Sequence, residues 1–161
     1  LRQLSVISED ERGLVGVVHP SAGGGWILSL DAADLGDRAL LEETIVHELS
    51  HVVTLAPDVF AFGDEPCDGV AIALGCARTG SVLAEFAATF GPDGEAGPTH
   101  DHVNDYSASA AHEDLAETFT ALVLGWAPAG ETIDAKIAML QADPELAALM
   151  VELRTRLGLG D

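Results

Sequence analysis

The spacing of apolar and polar positions changes its period along the chain, and each change marks an element. Leu14-Val15-Gly16-Val17-Val18 is a short β-branched run closed by His19-Pro20, and it predicts a strand. Ser21-Ala22-Gly23-Gly24-Gly25 is turn material, and Trp26-Ile27-Leu28-Ser29-Leu30 reads as a second strand. The period then lengthens to that of a helix. Asp34 or Asp37 can cap it, apolar residues recur at Leu41, Ile45, Leu49, Val52 and Val53, and Pro57 closes it just past Leu55.

Residues 57–69 break the pattern with acid and glycine and are expected to form a loop, followed by a short apolar stretch from Val70 to Cys76. Ser81 to Phe90 predicts a second helix, with Thr79 or Ser81 at its start, and residues 91–105 a second loop. Ser109 is the expected cap of a third helix that ends near Gly125 and buries Leu115, Phe119, Leu122 and Val123; Trp126 is expected in the core. Thr132–Ala142 and Pro144–Leu157 form a terminal helical pair, with Pro144 suited to a first turn. Strands followed by helices describe an α+β fold, and the chain of 161 residues reads as one domain, 1–161.

Composition narrows the function. Hydrophobic residues are 48% of the chain, and a fold of this length buries roughly 70% of its unfolded surface. Neither a metal nor a disulfide is needed merely to hold it together. The 27 acidic and 7 basic residues give a net charge of −20, which repels phosphate backbones and anionic lipid surfaces. No nucleic acid is therefore expected as a partner. Cationic or neutral substrates suit such a field, although the charge can equally serve solubility. No apolar run is long enough for membrane insertion. No stretch reads as a signal peptide, and the first residue, Leu1, reads as that of a trimmed or mature form. Cys67 and Cys76 do not make a paired zinc knuckle; a disulfide and two buried thiols are both compatible with the sequence.

The chemistry lies in the first helix. His47-Glu48-Leu49-Ser50-His51 is an H-E-x-x-H string. Residues four apart share a helix face, so both imidazoles can reach one metal ion. A neutral imidazole is a good zinc donor, and Glu48 stands where a carboxylate can take a proton from a zinc-bound water and return it to a leaving amine. The alternative, two ordinary surface histidines, fits poorly with a helix that directly follows a strand. The longer H-E-x-x-H-x-x-G-x-x-H pattern is absent, because Thr54 and Pro57 stand at its last two positions. A catalytic zinc takes three protein ligands and leaves one position open. The best source of the third is Ala111-His112-Glu113-Asp114-Leu115-Ala116-Glu117-Thr118-Phe119, where Glu113 and Glu117 share a face. One can bind metal while the other accepts a hydrogen bond from a ligand histidine. His112 is a competing ligand, though it points off that face.

The pairing of H-E-x-x-H with this downstream helix resembles the gluzincin metallopeptidases. Tyr106 followed by Glu113-Asp114-x-Ala116-Glu117-x-Phe119 is similar to the anthrax lethal-factor-like and related bacterial zinc metallopeptidases. The resemblance spans roughly residues 14–126. It implies a zincin-like fold, with a small N-terminal sheet packed on the active-site helix and a mostly helical C-terminal part. It also implies one catalytic Zn2+ held by His47, His51 and Glu113, with Glu48 as general base and Glu117 behind a ligand histidine. Tyr106 would stabilise the oxyanion. The partner would be a peptide or protein substrate, and the lean is towards a secreted or cell-surface setting. A zincin strand next to the cleft pairs with extended substrate, a part expected here for Trp26–Leu30.

Other readings stay beside this one. A scaffold domain can keep the zincin fold and a zinc ion without catalysis, and a fourth protein ligand such as His100, His102 or His112 would mark it. The same chemistry can hydrolyse a non-peptide substrate. The loop with Asp58, Asp64, Glu65 and Asp68 offers hard oxygens for Ca2+, but without EF-hand spacing it reads as solvated. His100-Asp101-His102 reads as an exposed loop for a similar reason, since alternate residues of an extended chain face opposite sides.

Overall fold

The computed structural model describes residues 3–7, 15–63, 68–91 and 102–160. The chain folds as mixed α+β, with small sheets in its N-terminal half and helices in its C-terminal part. A first sheet is built from β1 (Gln3–Ile7), β2 (Gly16–Pro20) and β3 (Trp26–Asp31) in the order β1-β3-β2. β1 runs parallel to β3, and β2 antiparallel. Sequence patterning missed β1, whose Leu4 and Val6 lie exposed at the sheet edge and carry no amphipathic signal. Leu14, expected at the start of β2, lies outside the described residues.

This order corrects one expectation. β3 is paired on both sides, so its backbone has no free edge to offer a substrate. Among the described residues the strand beside the first helix with an open edge is β2. β2 lies close because Gly16 has no side chain: a Cβ there would stand 2.5 Å from Thr44 Cγ2.

That helix, α1, covers Arg38–Thr54, and Asp37, not Asp34, caps it by accepting from the N–H groups of Ala39 and Leu40. Such a cap contributes about 1 kcal/mol. The burial of α1 differs from the patterning. Its fully buried residues are Thr44, Val46, His47, Glu48, Ser50, His51 and Thr54, while Leu49, Val52 and Val53 pack only partly against the core. The helix is covered on both sides, by the first sheet and by the third helix, so a polar face is buried as well. Its hydroxyls are satisfied locally: Thr44 donates to the Leu40 carbonyl, Ser50 to His47 and Thr54 to Ser50.

Residues 57–69, expected as a loop, contribute to a second sheet. β4 (Phe60–Phe62), β5 (Gly69–Ile72) and β6 (Gly75–Arg78) pair antiparallel in the order β4-β6-β5. Strands this short carry too few alternations to register as a pattern. Phe62 meets the buried Trp26 edge-on at 6.3 Å, which joins the two sheets. Cys76 on β6 is disulfide-bonded, so the reading with two free thiols does not hold. Cys67 lies outside the described residues, as do Asp64 and Glu65 of the proposed calcium loop.

α2 (Val82–Phe90) is capped by Ser81. α3 spans Ala111–Leu124 and ends at Gly125 in the left-handed conformation. Its N-cap is Ala110 without a side-chain bond, so Ser109 is not the cap. Leu115, Phe119 and Val123 are fully buried, Leu122 only partly, and Trp126 is exposed rather than in the core. α4 (Glu131–Ala142) and α5 (Pro144–Leu157) form the terminal pair, with Asp143 capping α5. The only lysine, Lys136, is fully buried on α4. Its ammonium lies 2.6 Å from Asp114 on α3 and 5.7 Å from the ring centres of Phe86 and Phe90 on α2. This contact ties three helices together one residue away from Glu113. Among the described residues, no helix is long and apolar enough to cross a membrane.

Candidate metal centre

α1 and α3 pack against each other, and their facing sides bring together the two helical motifs. The Nδ1 of His47 lies 2.7 Å from Glu117 Oε1. A carboxylate only accepts, so His47 donates from Nδ1, and its Nε2 is the nitrogen that faces the cluster. That Nε2 stands 3.1 Å from His51 Nε2 and 3.0 Å from Glu113 Oε2, and His51 Nε2 stands 3.4 Å from the same oxygen. Glu113 Oε2 is buried.

Two imidazole nitrogens and a carboxylate oxygen turned towards one point favour positive charge between them, a proton or a metal ion. Ligands about 2.0–2.2 Å from a tetrahedral ion stand about 3.3–3.6 Å from one another. The spacing found here is close to that, and His47, His51 and Glu113 can hold a metal ion. The electrostatics point the same way. Burial works against a charged His47, but hydrogen bonds to Glu113 and Glu117, with the charges of both, raise its pKa to about 10. Burial also pushes Glu113 up, yet hydrogen bonds from His112, His47 and His51 outweigh it and hold the carboxyl far below the usual range. His51 is pushed down, first by burial, and so keeps the neutral form that ligates metal.

Glu48 is buried next to this cluster but is not part of it. Burial raises its pKa, Glu113 adds to the rise, and the charge of His47 and a hydrogen bond from the Val18 N–H on β2 oppose it. Tyr106 is half exposed, its ring centre 5.9 Å from that of His47. Burial, followed by the charge of Glu113 and a hydrogen bond to it, raises the phenol further above neutral pH, so it stays a donor.

No protein-family model, curated protein or solved structure matches this chain. What the site can do rests on its own atoms. The remaining histidines are accounted for separately. His112 Nε2 faces the other oxygen of Glu113, Oε1, at 3.3 Å and therefore stays outside the cluster. His102 Nδ1 stands 3.3 Å from Asp114, and its side chain is only 9% exposed, so it is not the exposed loop histidine expected. His100 and Asp101 lie outside the described residues.

The residue that sequence reading missed is Asn104. Its amide donates to Glu117 Oε2 at 2.5 Å, so both oxygens of Glu117 are engaged. Its Oδ1 accepts from the Ser107 N–H at 2.8 Å, closing a turn that presents Tyr106. Asn-Asp-Tyr-Ser is a recognisable Asx-turn sequence, and that signal was available. Glu117→Ala is expected to weaken metal binding about 10- to 100-fold, because His47 loses the bond that fixes its tautomer and ring plane. Competition with a chromophoric chelator measures this, and an unchanged affinity would show that Glu117 does not orient the ligand.

Proposed function

We propose that the chain is a zincin-like metallopeptidase domain of the gluzincin kind, with His47, His51 and Glu113 as zinc ligands. The observation that carries this reading is the convergence of His47 Nε2, His51 Nε2 and Glu113 Oε2 within 3.0–3.4 Å, with a buried carboxylate set against it but outside it. Zinc held there would supply Lewis acidity, polarising a carbonyl and making a water acidic near neutral pH. Glu48, its pKa raised by burial, suits the base that takes the proton of the attacking water and hands it to the leaving amine. Tyr106, kept protonated, donates to the oxyanion that develops as the carbonyl is attacked. Glu117 and Asn104 hold His47 in place. The open edge of β2, one residue of which already binds Glu48, is where an extended peptide can pair.

The scaffold alternative requires a fourth protein ligand, and among the described residues none joins the three. The test is cleavage of a diverse peptide library by zinc-loaded protein, read by mass spectrometry, before and after treatment with a strong chelator. Cleavage that stops on chelation and returns with zinc is expected. Silence from protein that has bound one zinc would remove the peptidase reading.

A further inference from the structure

We propose that Glu43 selects the substrate, by pairing with a lysine or arginine side chain next to the bond that is cut; the inference rests on the peptidase reading above. A cavity of about 270 Å³ opens beside the metal centre. Ligand pockets run from about 300 Å³ upward, so this one takes a single side chain. Its walls are Val15, Gly16, Leu40 and Thr44, with His47, Tyr106 and three carboxylates, Glu43, Glu48 and Glu117.

The three carboxylates are not equivalent. Glu117 has both oxygens engaged, by His47 and Asn104. Glu48 accepts from Val18 and turns to the metal centre. Glu43 has neither a hydrogen bond nor an ion pair among the described residues. It stands one helical turn before His47, on the same face of α1. The arginine nearest in sequence, Arg38, is taken by Glu42 at 2.7 Å. Among the described residues no lysine or arginine lines the cavity, and its one basic side chain, His47, is held by Glu113 and Glu117.

A half-buried carboxylate with a second carboxylate near it is an unfavourable arrangement: its pKa is raised first by burial and then by the charge of Glu117, and the charge of His47 offsets this only in part. A substrate ammonium or guanidinium relieves both effects. Val15 and Leu40 suit the methylene stem of such a side chain, and Glu43 its charged end. A net charge of −20 draws the same substrates towards the protein and repels acidic ones.

Peptide pairs that differ only by lysine or norleucine, at each position flanking the cleaved bond, separate charge from size. With zinc-loaded protein, kcat/KM is expected to favour lysine by about tenfold or more at one position, a step one half-buried charge pair supports. Glu43→Gln should bring that ratio close to one, and Glu43→Lys should take it below one, in favour of norleucine. A ratio near one in the parent, or a lysine preference that survives both variants, overturns the inference. Calorimetric binding of the same pairs to zinc-loaded Glu48→Gln protein keeps the two proposals apart. Tighter binding of the lysine peptide, lost on adding Glu43→Gln, supports the recognition even where the parent cleaves neither peptide, and in that case it is the peptidase reading that falls. Cleavage of both peptides at equal rates leaves the peptidase standing and removes the role of Glu43.

Discussion

Glu48→Gln is expected to lower peptide turnover by about 10²- to 10⁴-fold while zinc stays bound, the range that a positioned general base supplies. The expectation follows from where Glu48 lies. It is outside the three-atom cluster, so its loss takes away no ligand. An amide oxygen can still accept from the Val18 N–H, so β2 and α1 keep their contact. What disappears is the group that takes a proton. The same substitution carries a signature in stability. The pKa of Glu48 is raised above its ordinary value of 4.5, chiefly by burial. Folding therefore favours its neutral form, and its charge costs stability as pH rises through the folded value. Metal-free Glu48→Gln protein should melt higher than the parent at pH 7, and the two should converge as pH falls below 4.5. Calorimetric melting across that range is the measurement. Turnover equal to the parent's would exclude Glu48 as the base. A melting advantage that grows towards low pH would mean that the pKa of Glu48 is lowered in the fold and not raised.

Glu113→Ala is expected to have the largest effect on the metal. It removes one of the three proposed ligands and leaves two imidazoles four residues apart on one helix. Loss of supporting residues behind a ligand costs about 10- to 100-fold in affinity, so loss of the ligand itself should exceed about 100-fold. Turnover should fall with occupancy and return in part at high zinc. The carboxyl of Glu113 is held well below the usual range by His112, His47 and His51. A lowered pKa contributes stability above the ordinary value of 4.5 that is lost as pH falls. Metal-free Glu113→Ala protein should accordingly be less stable than the parent at neutral pH, with the gap closing in acid. Zinc affinity within tenfold of the parent's would mean that another side chain is the third ligand. His112, 3.3 Å from Glu113, would be the first to examine.

Most of the helical frame is written locally. Asp37, Ser81 and Asp143 each bond the first turn that follows them, and Gly125 and Gly158 end α3 and α5 in the left-handed conformation. These are interactions over two to four residues, and a sequence states them directly. The same holds within each motif. A helix of 3.6 residues per turn places His47 beside His51, and Glu113 on the face of Glu117, whatever surrounds them.

Tertiary packing decided everything that crosses between elements. His47 and Glu117 are 70 residues apart, and only the packing of α1 on α3 assigns one oxygen of Glu113 to the cluster and Glu117 to the far nitrogen of His47. The resemblance implied that division of labour, but the spacing of the two glutamates is symmetric and cannot express it. The same packing explains why the apolar stripe of α1 is a poor guide to its burial. A helix covered on two sides buries His47, Glu48 and His51 as deeply as Val46, and they are tolerated there because each has a charged or hydrogen-bonding neighbour. Asn104 and the Val18 N–H owe their places to a loop and a strand docking against that helix. β1 joins the sheet through a parallel pairing with β3, formed across the distance between Gln3 and Ile27 and marked by no local turn. Sequence by itself determined which side chains could act together within a helix, because helical geometry is local. Which helices meet, and which carboxylate faces the histidines, is a property of the packed core alone.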